Sequence, residues 1–150
     1  MTFEELDQRF PNGFDDAEIT SLTVDYRDRI VRILLNLRCN LPDSPNRDEY
    51  ARAVLTVHEF YYFSIEPPDA DHLFYPGRSK ITFDGLPEDT RDFPLFGHLK
   101  SKLPVGAFCC RFYVHDWNSF IHMAAPDAEF SWLATNAAEI DKPSGVVEAD

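Results

Sequence analysis

The chain has 150 residues, 44% of them apolar, with thirteen phenylalanines and a formal net charge of -12. That length fits one domain with a real hydrophobic core. The charge sets the chain against nucleic acid and anionic membrane surfaces and favours basic partners. No apolar run reaches the eighteen or so residues of a membrane span, and MTFEELDQRF is acidic, without the apolar stretch of a secretory leader. A cytoplasmic location is the expectation. Three cysteines, two adjacent, with no CxxC spacing, read as reduced structural thiols.

In chain order, residues 2–10 predict a short helix. Thr2 and Glu5 have the spacing of a capping box, and Phe3, Leu6 and Phe10 form a narrow apolar stripe. Pro11-Asn12-Gly13 ends it. Asp16 to Arg38 predicts two antiparallel strands turning at Arg27-Asp28, with Asp28 shaping the turn. The first arm alternates strictly: Glu18, Thr20, Leu22, Val24 and Tyr26 on one face, Ile19, Ser21, Thr23 and Asp25 on the other. The second arm puts Val31, Ile33, Leu35 and Leu37 on one face.

Residues 39–50 read as a loop. Residues 51–66, rich in β-branched and aromatic residues, predict the longest strand, bent or bulged near His58-Glu59 so that it serves two sheets. Residues 66–104 are irregular apart from a short strand at Ser79 to Asp84, and Leu95 to Lys102 has room for one helical turn. His72, Tyr75, Arg78, His98 and Lys100 make this stretch the rim of a binding surface. A strand at 108–114 follows, with Phe108, Cys110, Phe112 and Val114 inward. Trp117 to Ala124 is the next strand, Pro126-Asp127 a turn, and Ala128 to Leu133 the last strand. The expected fold is mainly β: an antiparallel sandwich or partly open barrel of about seven strands with a short N-terminal helix. Residues 1–135 form its single domain, and 136–150 a flexible acidic tail.

The segments FDDAEITSLTVDYRDRIVRILLNL, VHEFYYFSIEPPD and VHDWNSFIHMAAPDAEFSW resemble a loosely described group of small bacterial β-rich proteins. The resemblance spans most of residues 14–132 and implies a compact β-rich domain. Some similar small acidic proteins serve as immunity proteins for secreted toxins. It carries over no catalytic residues.

No catalytic motif is present: no HxH, HExxH or DxDxDG run, no Gly-x-Ser-x-Gly elbow and no glycine-rich phosphate loop. Neither a cofactor nor a metal is expected. Asp15, Asp16, Asp69, Asp71 and Asp116 read as turn formers rather than calcium ligands. His115-Asp116 beside Ser119 or Cys110 has the residue types of acid-base and nucleophilic chemistry but not the spacing. The favoured reading is an acidic protein-binding module with a basic partner such as a toxin. Its contacts are Tyr61, Tyr62, Asp69, Asp71, His72 and Tyr75, because adjacent tyrosines on a strand point to opposite faces. The alternative is a small-molecule or metal-binding barrel, enzymatic in its strongest form, with His58, His115, Asp116 and His122 around a pocket. A homo-oligomer needs only an exposed apolar sheet face.

Overall fold

A computed structural model describes residues 1–40, 43–47, 49–72, 80–85, 98–99 and 101–133. One short helix, α1 (Phe3–Asp7), and eight strands occupy them: β1 (Ala17–Asp25), β2 (Ile30–Arg38), β3 (Tyr50–His58), β4 (Tyr62–Ile65), β5 (Lys80–Gly85), β6 (Phe108–Val114), β7 (Ser119–Ala125) and β8 (Asp127–Trp132). All pairings are antiparallel, in the order β4-β7-β6-β5-β1-β2-β3-β8. Among the described residues the two ends of this ladder do not pair with each other, so the sheet is not closed into a barrel.

The sheet folds over on itself. Val31, Ile33, Leu35 and Leu37 of β2 share one core with Phe112 and Val114 of β6 and Ile121 and Met123 of β7. That is possible only if the two halves of the sheet face each other. Each such side chain, fully buried, stabilises the fold by about 1.5–3 kcal/mol. Among the described residues the halves meet at a seam where β1 and β5 pair at Ala17↔Ile81 and Glu18↔Lys80.

The other corner is made by strands that cross from one half to the other. Residues 50–65 run as β3 and then β4, broken at Glu59, whose φ is 53°. Residues 119–132 run alongside as β7 and β8, broken at Pro126. His58 stands opposite Asp127, and Tyr62 opposite Ala124. Three residues, 59–61, therefore face two, 125–126, and the extra residue bends both strands together. The expected bend near His58-Glu59 is thus present, and it divides the longest strand into two. Pro126-Asp127 is not a reversal; it is the other side of the same bend. Glu59 also resets the alternation, so Phe60 turns inward and is buried.

A second interruption sits in β1. The register slips between Ile19 and Ser21, leaving Thr20 as the extra residue, and its hydroxyl donates to the Leu34 carbonyl at 3.2 Å. Ile19, Leu22 and Val24 consequently all pack on the core. Strict alternation had placed Ile19 opposite the other two. The β1–β2 turn is shaped by Asp25 rather than Asp28: its Oδ1 accepts from the Arg27 and Asp28 N–H groups at 2.9 and 3.0 Å. The Phe60 N–H donates to the Arg29 carbonyl at 3.1 Å, tying this turn to the corner.

Helix α1 begins as its sequence demands. Thr2 Oγ1 accepts from the Glu5 N–H, and the Glu5 carboxylate accepts from the Thr2 N–H at 2.7 Å. Phe3 packs edge-on against Phe14, Phe108 and Phe112, so the helix covers one end of the core. A 3-10 turn at His115–Trp117 and a left-handed Asn118 (φ 45°) precede β7, which starts at Ser119 rather than Trp117. All three cysteines are thiols rather than disulfides. Residues 134–150 and most of 73–100, including Tyr75, Arg78 and Lys100, lie outside the described residues.

Candidate interaction surface

Strand β8 lies at one end of the ladder, with β3 as its strand partner. Backbone groups in an antiparallel pair alternate between the partner and the opposite side. The Leu133 N–H donates to the Arg52 carbonyl at 2.9 Å, so the odd-numbered residues of β8 turn their backbone towards β3. The even-numbered residues turn theirs to the outer edge, and Ala128 shows it: its N–H donates to the Met1 carbonyl at 2.9 Å. The Met1 ammonium also pairs with the Asp127 carboxylate, which holds that carboxyl below its ordinary range. The rungs at Phe130 and Trp132 follow.

Their side chains form an aromatic group with Phe10. Ring centroids lie 4.5 Å apart for Phe10–Phe130, 5.9 Å for Phe10–Trp132 and 4.9 Å for Phe130–Trp132. Phe130 and Phe10 pack on the core, whereas Trp132 is 47% and Leu133 36% exposed. Periodicity could not reveal this exposure, because it assigns Trp132 to the inward-facing set and does not say where the core ends.

The residues expected to bind a partner are spread along the chain after the corner. Tyr61 is 38% exposed, and Tyr26, whose ring meets Phe60 edge-on at 5.7 Å, is 70% exposed. Tyr62 is half-buried, and burial, with Cys109 next in effect, pushes its hydroxyl well above the usual range. Tyr61 lies in the corner just before β4, which begins at Tyr62, so strand alternation does not govern the pair. Asp69 is occupied structurally: Oδ1 accepts from the Asp71 N–H at 2.9 Å and Oδ2 from Asn118 Nδ2 at 2.9 Å. Asp71 is exposed, and Asp71 and His72 belong to a 3-10 turn at Ala70–His72.

The four residues of the alternative pocket do not form one group among the described contacts. His58, on β3, pairs with Glu129 of β8 at 3.3 Å. His122, on β7 in the other half of the sheet, is 2% exposed and lies 2.8 Å from Glu66 Oε1. Glu66 also holds β7 in place: Oε2 accepts from the Phe120 N–H at 3.1 Å, and its carbonyl accepts from Ser119 Oγ at 3.4 Å. His115 and Asp116 sit in the β6–β7 turn, where the His115 ring meets Tyr113 at 5.1 Å. Tyr113 in turn meets Phe120 at a tilt, and Phe120 meets His122 likewise. Sequence reasoning overlooked Glu66 and Asn118, whose partners lie 56 and 49 residues away. The Pro-Pro after Glu66 marks a strand end but carries no sign of a histidine across the sheet.

Neither nucleophile considered above is accessible. Ser119 is buried. Cys110 is buried as well, and burial, with Cys109 adding to it, pushes its thiol up, so it stays protonated. Among the described residues no three His, Cys, Asp or Glu side chains converge as a metal site would require. Asp16 is engaged by Arg38 at 3.4 Å. No helix among the described residues is long and apolar enough to cross a membrane. No protein-family model matches the chain, and comparison with curated proteins and with solved structures finds no match either.

Proposed function

We propose that the chain is a small acidic protein-binding module whose partner is a basic protein. The observation that carries this reading is the exposure of Trp132 and Leu133 at a sheet edge of a chain with net charge -12. Exposed aromatic anchors supply contact area, and opposite charge on the partner speeds encounter. Tyr26 and Tyr61 are two further exposed aromatic side chains. The finer form of the proposal, a cytoplasmic immunity protein that neutralises a toxin by covering it, rests on the resemblance described above and on the charge.

The test is capture of partners from the native lysate by the tagged protein at low salt. The reading expects a stoichiometric basic protein that is released as salt rises, because screening shortens the reach of surface charge to about 8 Å at physiological ionic strength. A partner that is itself acidic, or one held equally well at high salt, would contradict it.

A further inference from the structure

Resting on the protein-binding reading, the geometry points to the outer edge of β8 as the docking strand, where an extended basic segment of the partner adds beside it as a further strand. Phe130 and Trp132 direct their backbone N–H and C=O groups outward, beyond the rung that Met1 fills at Ala128. An added strand pairs with such groups, and side chains beside them select it. Trp132 and Leu133 supply an exposed apolar contact at the end of the strand.

Charge identifies the occupant. Asp127 and Glu129 lie on the strand itself, paired with the Met1 ammonium and His58, so the attraction comes from the net charge of -12 over the whole chain. A lysine- or arginine-bearing segment is attracted here, whereas a second copy brings another -12 and is repelled.

The probe is a seven-residue peptide of alternating valine and lysine, titrated into the isotope-labelled full chain. The amide signals of Phe130 and Trp132 are expected to move first, with affinity falling at least about tenfold between low and 0.3 M salt. Trp132→Pro removes an outward N–H without touching the bonds to β3, and is expected to weaken binding about tenfold. A peptide N-methylated at alternate residues, which cannot pair along an edge, gives the same loss without altering the protein. Equal binding of a valine-glutamate peptide or of the N-methylated peptide would overturn the inference. So would no binding, or shifts confined to other strands. Movement of the same amides with protein concentration alone would assign the edge to a second copy and overturn it too. A basic partner captured from lysate, with β8 unaffected by peptide, would sink this inference and leave the protein-binding reading standing.

Discussion

Asp7 ends helix α1 and also fixes the turn after it. Its Oδ1 accepts from the Phe14 N–H at 2.7 Å, which sets Phe14 into the core. Gly13 between them has φ 53°, and a Cβ there would collide with the Asp7 carboxylate, so any other residue would push that side chain away from Phe14. Burial, and then the charge of Asp15, raise the Asp7 carboxyl above its ordinary range, against the opposing pull of the Phe14 N–H. A raised carboxyl favours the protonated folded state. Its contribution is therefore fully present below the unfolded value, near pH 4, and is lost as pH rises through the folded one. Asp7→Asn keeps an oxygen for Phe14 and removes the charge. Chemical denaturation should find it no more stable than the parent at pH 3 and more stable at pH 7; a loss at pH 7 would show that the charge itself is needed. At the centre of the same aromatic group, Phe112 is fully buried against Phe3 and Phe14. Phe112→Ala should cost about 3–5 kcal/mol in equilibrium unfolding, as large cavities do.

At the scale of the element, the corner at Glu59 decides how the sheet folds over. A side chain at φ 53° is tolerated but unfavourable, and β-branched residues suffer most there. Glu59→Val should lower stability by about 1–2 kcal/mol, while Glu59→Gly should change it little, since glycine's freedom offsets its entropy cost. Equal effects of the two substitutions would mean that the corner can reshape. The sequence announced this corner because the aromatic run is too long for one flat strand. It did not announce the bulge at Thr20, since threonine suits a regular strand as well as an interrupted one. The capping box of α1 and the inward face of β2 were legible for local reasons: each depends on neighbours a few residues away. The Glu66–His122 contact and the place of β8 at the edge depend on partners far along the chain, which no periodicity encodes.

For the whole molecule, a net charge of -12 is a constant repulsive load as well as a means of recruitment. Raising salt should therefore stabilise the isolated protein while weakening its complexes, and thermal unfolding read beside binding across a salt series would separate the two effects. The account of function depends on β8 keeping an open edge beside Trp132. Residue-resolved amide hydrogen exchange on the free protein tests this most directly. The account predicts alternation along the strand: slow exchange at Glu129, Ser131 and Leu133, which face β3, and fast exchange at Phe130 and Trp132. Uniform protection through 129–133 would show that the edge is already covered, and would contradict the account.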